Sequence, residues 1–133
     1  MNGLGRLRDS IARLQADGVR AILLLSHLGY ALDRRLAAAV GGLTAIVGGH
    51  SHIALNPPVA VQGVPIAQAG EYGESLGRLD LTLDDDSGRT LEFDGRLIPC
   101  GPDAPPDGTI AATLELVREE AARVMPGSGL PSA

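Results

Sequence analysis

Lysine is absent from this chain, and every basic side chain is an arginine. We read that absence as a bias of composition rather than as a binding device. With Lys+Arg 11 against Asp+Glu 16 the formal net charge is -5, which argues against nucleic acid as a partner because phosphate binding needs clustered basic residues. Tryptophan is missing too, and aromatic residues make up only 2%. The core must therefore be built from Leu, Val, Ile and Ala, and the hydrophobic share of 44% is enough for one. A single cysteine, Cys100, excludes an internal disulfide and any cysteine-based zinc site, and leaves the compartment open. Long apolar runs are also missing. The run at 21–25 falls far short of the roughly 18 residues needed to span a bilayer, so no membrane span is expected. The first residues are amphipathic and lack the basic-then-apolar order of a signal peptide. What remains, in 133 residues, is one domain's worth of chain or part of a larger domain.

Leu4, Leu7, Ile11 and Leu14 share one helical stripe, which predicts a surface helix stopped near Gly18. "VRAILLLS" reads as a strand buried on both faces of a parallel sheet. "ALDRRLAAAV" reads as a helix ended by Gly41-Gly42, and "LTAIVGG" as a second buried strand. Strand, helix and strand make a βαβ unit with parallel strands. Two β-rich runs around Gln62-Gly63 then predict a hairpin. Alternation on both sides of Asp-Asp-Asp-Ser-Gly predicts an antiparallel pair with one wet face, its acidic residues 84–86 forming a turn and not a calcium loop. Ile110, Leu114, Val117, Ala121 and Val124 mark a last amphipathic helix capped by Asp107 or Thr109. The expected organisation is a domain over residues 1–100, a loop at 101–108, a helix at 109–125 and a tail at 126–133.

The histidines are few and grouped. His27 ends one predicted strand, and His50 and His52 follow the next. Parallel strands joined by one crossover have their carboxyl ends on a common edge, where open α/β sheets bind ligands. Residues two apart share a face only in extended backbone, so both His50 and His52 reach one cleft if their loop is extended. Gly48 and Gly49 leave room for another group to approach. Imidazole suits Zn, Fe, Ni and Mn, and such a set suits two metal ions about 3.5–4 Å apart. The opposing reading is three hydrogen-bonded loop histidines that bind nothing. "GHSHI" lacks the second glycine of a serine-hydrolase elbow, so Ser51 is a poor nucleophile.

"ILLLSHLG", "IVGGHSH" and "PIAQAGEYGESLGRLDL", in that order, resemble the C-terminal half of the catalytic domain of bifunctional 5'-nucleotidases, which are calcineurin-like metallophosphoesterases. The resemblance implies an α/β fold: a βαβ unit, antiparallel hairpins and a C-terminal helix, as half of a β-sandwich flanked by helices. It implies hydrolysis of nucleotide or other phosphate monoesters at two divalent ions (Zn, Mn, Fe or similar). By the same resemblance His27 and His50 match ligands of the second metal, and His52 a ligand of the first. The C-terminal helix matches the start of the interdomain linker.

The departures are equally specific. The family's Asp-x-His, bridging Gly-Asp and Gly-Asn-His motifs do not occur here. Catalytic residues in the strict sense are thus none, since the bridging Asp and the acid/base His are absent. Three neutral imidazoles also neutralise none of the charge of about +4 that two divalent ions carry. Among nearby carboxylates, Asp33 reads as a helix cap, and Glu71 as a ligand or a hydrogen-bonded loop residue. Glu71 and Tyr72 are the candidates for substrate contact. Arg34 and Arg35 read as a phosphate clamp or as a solvated helix face. The expected protein is a fragment, from a truncated or split gene or a miscalled start, binding metal weakly and inactive alone. Its expected partners are a phosphate-ester or nucleotide substrate and either a complementing N-terminal half or a second copy. The alternative is a non-catalytic relic or interaction domain. Family members are often periplasmic or extracytoplasmic, and no export signal is visible here.

Overall fold

A computed structural model describes residues 3–101 and 104–124. They divide into two compact units, Met1–Cys100 and Gly101–Ala133. In the first unit the leucine stripe folds as α1 (Gly3–Ala16), which buries Ile11. Gly18, at φ 84, ends it. The amide of Val19 bonds back to Leu14 O and that of Gly18 to Gln15 O, the paired bonds of a Schellman stop.

β1 (Leu23–Leu25), α2 (Tyr30–Ala39) and β2 (Ala45–Val47) form the expected βαβ unit. Its strands are parallel, with Leu24 opposite Ile46. β3 (Val59–Val61) and β4 (Val64–Ala67) form the hairpin. Its turn residues Gln62 (φ 50) and Gly63 (φ 79) both lie in the left-handed region, as the tightest hairpin turns require. β4 then joins the sheet parallel to β2, giving the order β1-β2-β4-β3. Ile46 and Ile66 face each other at the centre of that sheet with no exposed surface. Ile22, Val40, Leu43, Leu55 and Val64 complete the core with Ile11 and Ala37.

β1 corrects one expectation. It was expected to be buried on both faces, yet Leu23 is 56% exposed and Leu25 84%. Among the described residues its only strand partner is β2, so it is an edge there, and of its three residues only Leu24 packs on the core. A continuous apolar run signals a strand but carries no information about how many neighbours it has.

β5 (Ser75–Leu83) and β6 (Thr90–Pro99) form a separate antiparallel sheet. Leu79, Leu81 and Leu83 are half-buried while the residues between them are exposed, matching the alternation in sequence. In the connecting turn the Asp84 carboxylate accepts hydrogen bonds from Ser87 Oγ (2.5 Å) and Ser87 N (2.8 Å). The Ser87 hydroxyl, and then its amide, hold the Asp84 carboxyl below its ordinary range. A carboxyl lowered by folding stabilises the fold above the ordinary carboxylate range, and that contribution is lost as pH falls through the lowered value. Ser87→Ala is therefore expected to reduce stability at neutral pH, with the gap from wild type closing in acid. Urea unfolding at a series of pH values measures this, and a gap constant with pH would contradict it.

In the second unit α3 (Gly108–Val124) is capped by Asp107, whose Oδ1 accepts from Thr109 N (2.9 Å) and Ile110 N (3.0 Å). The tail expected at 126–133 lies outside the described residues. No helix among the described residues is long and apolar enough to cross a membrane.

Candidate functional site

His27 lies just past β1, and His50 just past β2, at the same edge of the parallel sheet. Their rings meet edge to face, with centroids 5.3 Å apart. Gly49 makes this possible, because a Cβ there would lie 3.0 Å from His27 Nδ1. His27, His50 and His52 are all solvent-exposed.

The turn carrying the pair is not extended, contrary to expectation. His50 (φ 71) and His52 (φ 56) are both left-handed, a conformation that costs a non-glycine residue roughly 1–2 kcal/mol and persists only where the surroundings hold it. Part of that hold is backbone, with Ser51 N donating to Gly49 O (2.9 Å) across His50 and Gly70 N to Ile53 O (3.2 Å), and part comes from one side chain. Gln68, buried at the end of β4, accepts from Ile53 N (2.8 Å) and Ser51 Oγ (2.9 Å) and donates to Gly49 O (3.1 Å). Ser51 Oγ in turn accepts from Tyr30 N (3.1 Å), supplying a bond that the first turn of α2 lacks from its own helix.

His52 points its Nδ1 at Glu71 Oε2, 2.5 Å away, and its ring lies 5.8 Å from that of Tyr72. A carboxylate on Nδ1 fixes the tautomer that leaves Nε2 free to act as a ligand. Tyr72 is 87% exposed and is itself left-handed, at φ 54. Three of the five residues singled out from sequence thus occupy strained backbone. Arg34 and Arg35 lie exposed on α2, Arg34 stacked over Tyr30 at 5.8 Å. Among the described residues no group of three or more His, Cys, Asp and Glu side chains could hold a metal ion. The arrangement is two imidazoles side by side, with a third oriented separately by a carboxylate.

Asp33 was expected to cap α2 and does not. Gly29 holds the cap position without a side-chain bond. Asp33 instead lies within the first helical turn, fully buried, and accepts from Ser26 Oγ at 2.5 Å. Its Oδ2 is buried without a hydrogen-bond partner. An added Cβ on Gly48 would lie 2.5 Å from that oxygen. Gln68 was missed by the sequence reading, though alternation along β4 gave a signal. Val64, Ile66 and Gln68 share one strand face, and the first two are core residues.

No family model matches the chain. It is 31% identical over 129 residues to the 5'-nucleotidase of Mus musculus, a match spanning 84% of this chain and 22% of that protein. The solved 5'-nucleotidase precursor of Thermus thermophilus superposes with TM-score 0.76 at 29% identity, over 96% of this chain and 28% of the other. The calcineurin-like phosphoesterase of Bacillus subtilis shares the fold, with TM-score 0.74 at 20% identity, over 92% of this chain and 44% of its own. The chain therefore spans only a fraction of the proteins it matches. Similarity over most of its sequence, joined to a common fold, makes this chain a member of the 5'-nucleotidase family, corresponding to one part of those longer proteins.

Proposed function

We propose that the chain carries the histidine part of a divalent-metal site in a phosphomonoesterase of the 5'-nucleotidase type. The observation that carries this reading is the meeting of His27 and His50 rings, 5.3 Å apart, at the ends of two adjacent parallel strands. The donor set fits part of such a site. Neutral imidazole is a borderline ligand suited to Zn and, less tightly, Mn. His27 and His50 would serve one ion, and His52, through Nε2, the other. When bound, a pair of divalent ions offsets charge on the phosphoryl oxygens of a nucleotide or other phosphate monoester. The chain's own contributions are to hold these imidazoles in place, and to line the approach with Glu71 and Tyr72.

Residues 1–100 are read as part of the catalytic domain, with the helix near 109–125 as the start of a linker. Two imidazoles are fewer protein ligands than the three or four that zinc sites use, and they bring no charge. The chain alone should bind metal weakly and turn over little or nothing, with the remaining ligands coming from residues outside this stretch.

Calorimetric titration of Zn²⁺ and Mn²⁺ into the wild type and into His50→Ala/His52→Ala tests the reading. The double variant should bind at least about tenfold more weakly, the loss of roughly one good interaction. Release of p-nitrophenol from p-nitrophenyl phosphate should match buffer for both. Equal heats from both proteins would point instead to a non-catalytic interaction domain. That alternative draws on the exposed edge of β1, where Leu23, Leu25 and Leu28 face solvent. A robust metal-dependent rate from the wild type would overturn the incomplete-site reading.

A further inference from the structure

The two left-handed histidines need a cause. Part of it is local: Ser51 N donates to Gly49 O (2.9 Å), closing a tight turn over His50, whereas Ile53 N, on the far side of His52, is bonded to Gln68. Gln68 bonds to residues 49, 51 and 53, which alternate with the two histidines. Each histidine is thus bracketed on both sides by a position pinned to the same amide group. Gln68 is 3% exposed and lies just past β4, the strand adjacent to β2, with its own carbonyl bonded to Leu55 N (2.9 Å), so its place is set by the sheet. The same bonds extend outward through Ser51 Oγ to Tyr30 N at the start of α2. The segment from His27 to that helix is therefore tied to the turn that carries His50.

We propose that Gln68 is the positioning residue of the two-histidine turn: its carboxamide sets the backbone of His50 and His52 and, through Ser51, the placement of the α2 start relative to them. Gln68 uses both ends of its amide here. The oxygen accepts twice and the nitrogen donates once, a pattern that a carboxylate copies only in part and an apolar side chain not at all. Gly48 leaves space for the group, for a Cβ there would lie 3.0 Å from Gln68 Nε2. For metal affinity this role rests on the proposed cation site; for the shape of the turn it stands without it.

The test compares Gln68→Leu, Gln68→Glu and Ser51→Ala with Thr90→Val. The last removes another buried hydrogen bond of the same unit, from Thr90 Oγ1 to Thr44 O, away from the histidines. Three readouts are taken: amide hydrogen exchange of Ile53 and Tyr30 in the metal-free chain, the nuclear Overhauser contact between the His27 and His50 rings, and Zn²⁺ affinity by calorimetry. Gln68→Leu should speed exchange at both amides about tenfold, as loss of one hydrogen bond does, and should abolish the ring contact. Its Zn²⁺ affinity should fall about tenfold or more, as for other groups that orient a ligand. Gln68→Glu keeps the two accepted bonds and should restore protection of Ile53 and Tyr30. Ser51→Ala should expose Tyr30 while Ile53 stays protected. Thr90→Val should lower the melting temperature and leave all three readouts at wild-type values.

Wild-type protection of Tyr30 and an intact ring contact in Gln68→Leu would overturn the assignment, as would equal disturbance by Thr90→Val. Should Gln68→Leu fail to fold, Gln68→Glu and Ser51→Ala decide alone, and an unchanged Tyr30 amide in Ser51→Ala overturns the link to α2. If the wild type takes up no Zn²⁺ while the exchange and ring effects appear, the positioning role stands and the cation-site reading fails.

Discussion

Gly88→Ala is expected to destabilise the first unit by about 2–5 kcal/mol, the sum of a left-handed Ala and an overpacked contact. Gly88 sits at φ 67, in the turn between β5 and β6. A Cβ there would lie 2.0 Å from Arg20 O and 2.3 Å from Arg20 C. Both are backbone atoms just before β1, so no rotamer change relieves the clash, and either the turn or the strand entry must move. Movement would also disturb a buried chain of bonds. Thr44 Oγ1 donates to Gly88 O (2.8 Å) and accepts from Ile22 N (2.9 Å), while Thr90 Oγ1 donates to Thr44 O (2.7 Å). These bonds join the separate β5–β6 sheet to the parallel sheet within the first unit. Gly63→Ala isolates the conformational part of the cost, because Gly63 has a similar φ of 79 and nothing within 4 Å of an added Cβ. It should cost about 1 kcal/mol. Chemical unfolding followed by circular dichroism measures both. Equal losses for the two variants would show that the approach of Gly88 to Arg20 is not what makes glycine necessary there.

That contact also marks where reading the sequence stops. "DDDSG" announces a turn, because its residues favour one whatever they meet. Nothing in it announces Arg20, which is brought there by the fold and not by spacing. The same division runs through the candidate site. His27 and His50 could be placed together from sequence, since parallel strands joined by one crossover must end at one edge, and the ring contact follows. The left-handed backbone of His50 and His52 could not, since Gln68, which helps hold it, follows a strand whose pairing with β2 the local pattern does not specify. The Gln62-Gly63 hairpin, the β5–β6 alternation and the Asp107 cap were legible because each depends on near neighbours alone. The edge position of β1 and the burial of Asp33 were not, because both depend on which element lies alongside.

Asp33 and Gly48 provide the sharpest test of such long-range dependence, as a double-mutant cycle. Gly48 carries no left-handed φ, so an alanine meets no backbone penalty at that position. Its obstacle is the Asp33 Oδ2 atom, 2.5 Å from where the new Cβ would sit, with Gln68 Nε2 at 3.0 Å. Asp33 cannot swing aside freely, because its other oxygen is bonded to Ser26 Oγ and the whole side chain is buried. Gly48→Ala alone should therefore cost about 2–3 kcal/mol, as overpacking does. Asp33→Ala alone should cost about 1–3 kcal/mol, since Ser26 loses its acceptor and a space opens. In the double variant the new methyl fills part of that space, and the clash that made Gly48→Ala costly is gone. The combined loss should fall short of the sum of the two by about 1–2 kcal/mol, within the range that contacting residues show. Simple additivity in urea unfolding would mean that Gly48 is glycine for another reason, the remaining one being its approach to Gln68. Gln68→Ala in place of Asp33→Ala would then show the coupling instead. The two cycles separate the parts these buried side chains play beneath the histidine turn: Asp33 packs against Gly48, while Gln68 directs the backbone on which His50 and His52 stand.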